Sequence, residues 1–175
     1  MKANRLLAAA LFCLPVAAAT AEDYSEDNPL FRANELSLDL FGTVSVGQET
    51  LDDITDERVR DDGRLGLGLG ANYFFTRHLG LGGDAYTENT GHRFVDNASG
   101  NLIFRIPLDS IHLAPYAYGG GGRQFDPTGL WFAQAGAGLE VRFTRNVGVF
   151  ADGRYVFTDG TENIGVGRLG FRYSF

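Results

Sequence analysis

The sequence predicts an all-β protein, an eight-stranded antiparallel up-and-down transmembrane β-barrel, and three observations carry that prediction. In the segment 164–175, Leu169, Phe171, Tyr173 and Phe175 alternate with Arg168, Gly170, Arg172 and Ser174, so a strand of this sequence has one apolar and one charged face. The same period of two recurs along the chain, interrupted alternately by short turns and longer loops. After Ala21 no uninterrupted apolar stretch reaches the roughly 18 residues a spanning helix needs. Alternation must therefore carry any passage through a membrane.

Residues 1–21 read as a cleaved export leader: Lys2 and Arg5, an apolar run over 6–19, then Ala19-Thr20-Ala21 before Glu22-Asp23. Cys13 follows the bulky Phe12 inside that run, so it is not a lipidation site, and the exported chain has no thiol. Loss of Lys2 and Arg5 leaves 13 basic residues, all Arg, against 22 acidic ones, a net charge of −9. That balance excludes nucleic acid as a partner, because phosphate binding needs a basic patch. Residues 22–34 form a polar periplasmic lead-in, partly disordered, and 35–175 form one barrel domain.

The first strand sets Leu36, Leu38, Leu40, Val44 and Val46 against Glu35, Ser37, Asp39, Thr43 and Ser45, and an acidic loop spans 48–63. The second has Leu65, Leu67, Leu69, Ala71, Tyr73 and Phe75 against Arg64, Gly66, Gly68, Gly70 and Asn72. Thr76-Arg77-His78 turns into the third, where Leu79, Leu81 and Ala85 oppose Gly80, Gly82, Asp84 and Tyr86. A loop over 89–97 precedes the fourth, with Leu102, Phe104, Ile106 and Leu108 against Asn101, Ile103 and Arg105. Leu108-Asp109-Ser110 turns into the fifth, 111–120, where Pro115 marks an edge or bulge and Tyr116 and Tyr118 point inward. After a loop over 121–129, the sixth sets Trp131, Ala133, Ala135, Ala137, Leu139, Val141 and Phe143 against Gln134, Gly136, Gly138, Glu140 and Arg142. Thr144-Arg145-Asn146 leads to the seventh, with Val147, Val149, Ala151, Tyr155 and Phe157 against Gly148, Phe150, Asp152 and Arg154, and a loop over 158–163 leads to the eighth. Residues 75–81 and 143–149 repeat one turn motif, which is hairpin chemistry rather than a solenoid.

The face opposite the apolar series collects Glu35, Asp39, Asp84, Glu88, Glu140 and Asp152 with Arg64, Arg105, Arg142, Arg154, Arg168 and Arg172, six acids against six arginines. An eight-stranded barrel is only wide enough for side chains to fill, so these residues are expected to form a packed ion-pair network rather than line a water channel. Gly66, Gly68, Gly70, Gly80, Gly82, Gly136 and Gly138 on that face are expected to make room for the Arg stems. A lipocalin-like arrangement, apolar inside, would expose the charged face and seal in Trp131, Tyr155, Phe157, Tyr73, Phe143 and Phe175. Those aromatics fall near strand ends, where membrane girdles belong.

The motifs Asn72-Tyr73-Phe74-Phe75-Thr76-Arg77, Pro115 through Gly122, Phe143-Thr144-Arg145-Asn146-Val147-Gly148 and Gly170-Phe171-Arg172-Tyr173-Ser174-Phe175 carry a resemblance. From about Leu36 to Phe175 the chain resembles the small eight-stranded outer-membrane barrels, which include OmpA-type transmembrane domains, opacity-type surface antigens and OmpX/Ail-like proteins. The resemblance implies an integral outer-membrane location with outer-membrane lipid and lipopolysaccharide as partners. It also implies that Phe171, Tyr173 and Phe175 are the C-terminal signal read by the barrel-assembly machinery. OmpA itself continues into a peptidoglycan-binding domain and this sequence stops at the barrel, so cell-wall tethering is not expected.

Some barrels of this size are enzymes, and the lipid A deacylase type uses a His-x-Ser pair. Here His78, His92 and His112 are followed by Leu-Gly, Arg-Phe and Leu-Ala, and the serines Ser25, Ser37, Ser45, Ser99, Ser110 and Ser174 are scattered. No catalytic residue, cofactor or metal is expected. The acids Glu49, Asp52, Asp53, Asp56, Glu57, Asp61 and Asp62 read as a solvated loop rather than a cation site, because the spacing of an EF-hand loop is absent. Arg93 and Arg123 in the outer loops are candidates for lipid phosphate. The expectation is a monomeric barrel with a closed, salt-bridged lumen, serving structurally or as a surface contact. The rival readings are an adhesin or host-factor binder acting through its outer loops, a lipid A-modifying enzyme, and a narrow channel.

Overall fold

The computed structural model describes residues 29–47, 50–51, 58–59, 64–88, 95–125, 129–158 and 164–175. The expected leader, most of the acidic loop, His92 and Arg93 lie outside the described residues.

Eight antiparallel strands close into a barrel: β1 Glu35–Gly47, β2 Arg64–Phe74, β3 Leu79–Thr87, β4 Asn97–Arg105, β5 Leu113–Gln124, β6 Trp131–Arg142, β7 Val147–Thr158 and β8 Ile164–Ser174. Neighbours in sequence pair in space, and β1 closes the ring by pairing with both β2 (Leu40 opposite Leu69) and β8 (Leu40 opposite Phe171). Outside the barrel, Thr50–Leu51 pairs with Arg58–Val59 as a short ribbon within the first outer loop.

The three short connections, the start of β1 and the end of β8 share one end of the barrel. In the turns at 75–78 and 143–146 the threonine does the same work twice. Thr76 Oγ1 accepts from the His78 and Leu79 amides at 3.2 and 2.9 Å, and Thr144 Oγ1 from the Asn146 and Val147 amides at 3.3 and 3.1 Å. This local bond gives the backbone an alternative to the ladder and ends each strand.

The third connection differs from its expected form. A single 3-10 turn, Asp109–Ile111, ends on His112 in the left-handed region at φ 57°, so β5 starts at Leu113 and runs on through Gln124. The stretch 121–124, expected in a loop, is strand because Gly120 and Gly122 lie against the backbone of β4, where a Cβ would meet the carbonyls of Gly100 and Ala98. Nor does Pro115 mark an edge or bulge. Its carbonyl accepts from Ile106, and pairing continues past it at Leu108 opposite Leu113, so the ring omits only the one return bond to Ile106.

The alternation sorts the side chains by solvent. Leu65, Leu67, Leu69 and Trp131 are 62–71% exposed on the outer wall. Tyr73, Phe171, Tyr173 and Phe175 ring the turn end, and Trp131, Tyr155 and Phe157 the loop end. Charge is inside: Glu35, Arg105, Glu140 and Arg142 are 0–1% exposed.

Candidate functional site

The lumen is where the chain gathers its chemistry. Adjacent inward positions on a strand lie about 6.6 Å apart along it, and charged groups at matching heights on different strands meet across the centre. They form two strings. On the turn side, Arg105 bonds Glu35 at 2.9 Å, and Arg142 bonds both Glu35 oxygens at 2.6 and 2.8 Å and Glu140 at 2.6 Å. Arg172 continues from Glu140 at 2.5 Å to a two-bond clasp on Asp39, each bond 2.7 Å. Three arginines and three carboxylates therefore balance.

On the loop side, Arg168 clasps Asp152 with two bonds of 2.8 Å and reaches Asp84 at 3.1 Å, and Arg154 bonds Asp84 at 3.0 Å. Tyr116 and Tyr118, inward as expected, donate their hydroxyls to Asp152 at 2.6 and 3.0 Å. Paired, hydrogen-bonded charges escape the penalty of lone ones in a dry interior.

Two of the twelve residues expected in the network stand apart from both strings. Glu88 accepts from Ser45 at the loop-side rim, and Arg64 is exposed at the start of β2. Both sit at strand ends, where an inward direction no longer leads to the centre.

The lumen also holds rings that the charged pattern hides. Phe41 and Phe150 meet edge to face at 6.3 Å, with the Arg168 guanidinium 5.1 Å from the Phe41 ring and that of Arg172 5.0 Å from the Phe150 ring. Gly170, between those arginines on β8, makes this possible: a Cβ there would lie 2.6 Å from Phe41 Cβ and 2.9 Å from Phe150. Four other inner glycines do the same. A Cβ on Gly80 would lie 2.7 Å from the Phe74 ring, on Gly136 2.6 Å from the Tyr118 ring and on Gly138 2.8 Å from the Tyr116 ring, while Gly68 faces Phe41. These accommodate aromatic rings rather than the Arg stems assigned to them from the sequence, while Gly66, Gly70 and Gly82 face Thr43, Asp39 and Asn72. Parity had already placed Phe150 on the inner face; Phe41 and Phe74 share it, which was the signal that could have found them.

A cavity of about 10 Å3 lies between the strings, lined by Asp39, Asn72, Asp84, Asn101, Tyr118 and Arg168 among others. That is about the smallest space that holds one water. Toward the loops, Phe132, Val156 and Val166 pack together over the lumen.

His78 and His112 lie at the turn end with Nδ1 3.2 Å from the carbonyls of Arg105 and Arg142. Among the described residues no group of three His, Cys, Asp or Glu is placed to hold a metal ion. Arg123 faces outward near the loop end, 5.6 Å from the Trp131 ring.

A further departure lies before β1. Leu30 and Phe31, assigned to a polar lead-in, are 1% and 0% exposed beneath the turn-side string. Flanked by Pro29 and Arg32, they form an apolar pair too short to show any period.

A closed ring of eight strands with polar contents and an apolar wall defines a class of fold, the small outer-membrane barrel. Among solved structures, the N-terminal barrel domain of Pseudomonas aeruginosa OprF matches with a TM-score of 0.62 at 18% identity, over 82% of this chain and 99% of that one. P. aeruginosa OprG matches at 0.57 and 14% identity, over 85% and 99%. Ail, the attachment invasion locus protein of Yersinia pestis, solved with the heparin analogue sucrose octasulfate, matches at 0.53 and 18%, over 82% and 99%. At these identities the likeness is one of fold. No protein-family model matches the chain, and no curated protein matches it in sequence.

Proposed function

We propose that the chain is an integral outer-membrane protein whose lumen is sealed by ion pairs and rings, and which serves as a structural element of the envelope or as a surface contact through its outer loops. The observation that carries this reading is the inverted polarity of the barrel: leucines 62–70% exposed on β2, with the paired carboxylates and arginines within. In water such a wall would aggregate; against hydrocarbon it is the favourable surface.

The partners that follow are outer-membrane lipid and lipopolysaccharide along the wall, and the barrel-assembly machinery at Phe171, Tyr173 and Phe175. Those three rings face outward, and Tyr173 and Phe175 meet edge to face at 4.9 Å. For a surface contact, the acidic loop sets the sign. Seven acids and two arginines between positions 48 and 63 repel a polyanion such as the heparin analogue bound by Ail and favour a cationic partner.

Heat-modifiable gel migration of the protein recovered from the outer-membrane fraction tests location and closure together. A chain that stays monomeric and folded in detergent-free buffer overturns the reading. Steady single-channel current in a planar bilayer would replace the sealed lumen with a narrow channel, and a mass shift in lipid A on expression would replace the structural role with an enzymatic one.

A further inference from the structure

The segment before β1 is bonded in a way that a passive lead-in would not be. Asn34 adopts the left-handed region at φ 53°, a conformation Asn tolerates, and folds the preceding residues back under the barrel mouth. There the amides of Leu30 and Phe31 both donate to Asp109 Oδ1, at 2.9 and 3.2 Å. Asp109 Oδ2 pairs with Arg77, whose Nε donates to the Phe31 carbonyl at 3.0 Å. Arg142 donates to the Leu30 carbonyl at 2.8 Å and Arg105 to the Arg32 carbonyl at 2.9 Å. The Phe31 ring stands 5.3 Å from the Arg105 guanidinium and 4.6 Å from that of Arg142.

Three residues thus engage the turn after β2 through Arg77, the turn after β4 through Asp109, and the end of β6 through Arg142. They also supply the carbonyls that complete the bonding of the two most buried arginines. Without them Arg105 Nη2 would lose its bond to the Arg32 carbonyl, and Arg142 Nη1 would fall back on Glu35 and the Arg145 carbonyl.

We propose that 30–32 is a stopper that seals the turn-side mouth of the lumen against water, latched by Asp109 and Arg77. It is the counterpart of the apolar group formed by Phe132, Val156 and Val166 at the loop end, and it opens without unzipping the barrel, since none of its bonds belongs to the strand ladder.

The test uses water access. With Cys13 replaced by Ala, Ser37→Cys places one thiol on the inner face of β1 just above Glu35, at a position 0% exposed. In the folded barrel in lipid vesicles, a membrane-impermeant maleimide reaching the turn side should label it slowly. Adding Phe31→Ala or Asp109→Ala should raise the labelling rate roughly tenfold or more, because labelling tracks the population of the open form. Fast labelling with the stopper intact, or an unchanged rate in both variants, overturns the proposal. Should those variants not fold, Arg77→Gln removes one arm of the latch from a half-exposed side chain and is read the same way. Heat-modifiable migration reports the barrel separately, so failure of the stopper and failure of the membrane reading are distinguishable.

Discussion

The two ion-pair strings in the lumen are built from the same chemistry but end differently. In the turn-side string every guanidinium nitrogen has a partner: Arg172 spends its three on Asp39 and Glu140, and Arg105 and Arg142 spend theirs on Glu35, Glu140 and backbone carbonyls. In the loop-side string Arg168 is equally committed, but Arg154, its terminal member, uses only Nη1, and Nε and Nη2 have no partner. The Tyr86 ring lies 4.8 Å from its guanidinium instead. Thr43 Oγ1 and Gln134 Oε1 lie unpartnered in the same half. A string of alternating charges needs a cap wherever it stops, and among the described residues the turn end supplies backbone carbonyls for one. Strand interiors commit their carbonyls to the ladder, whereas the stopper and the turns do not.

That difference predicts a gradient of cost. Arg172→Met leaves Asp39 and one Glu140 oxygen without their cation deep in the lumen and should destabilise the barrel by roughly 3–5 kcal/mol, read as a shift of the urea midpoint in lipid vesicles. A midpoint within error of wild type would mean that the turn-side string does not bear on stability. Gly170→Ala keeps all charges but drives a methyl into Phe41 and Phe150, at an expected cost of about 1–3 kcal/mol; a neutral result would show that the ring pair can slide. Tyr116→Phe removes one of two hydroxyls on Asp152 and should cost about 1.5 kcal/mol, which thermal unfolding can resolve against Tyr118→Phe, whose bond is longer. Arg154→Met should cost on the order of 1 kcal/mol or less, because Asp84 keeps Arg168 and Asn101 while two unpaired donors disappear. A loss as large as that of Arg172→Met would erase the contrast between the strings. Thr144→Ala, which touches neither string, should cost roughly 0.5–1 kcal/mol through the turn alone.

Much of this was readable from period and parity. The outer wall, the inward direction of the charges and of Tyr116 and Tyr118, and the two Thr-Arg turns follow from positions along each strand. Three features did not. Phe41 interrupts a polar face, and one apolar residue among polar ones reads as noise until its neighbour across the barrel, the inward Phe150, is known. Gly121 and Gly122 read as loop because a glycine run has no face, although here the run allows β4 and β5 to approach. Leu30 and Phe31 lack any period at all.

What the sequence determined by itself was the sorting of side chains between two solvents, because alternation is a property of each strand taken alone and survives any choice of neighbours. Which acid meets which arginine was decided only on closure. Glu35 and Arg142 are 107 positions apart, as are no two residues that local pattern could connect. Their meeting depends on the stagger between strands, a quantity set by all eight pairings together. The same closure turned two apolar residues ahead of the first strand into a seal, since their burial exists only once there is a mouth to fill.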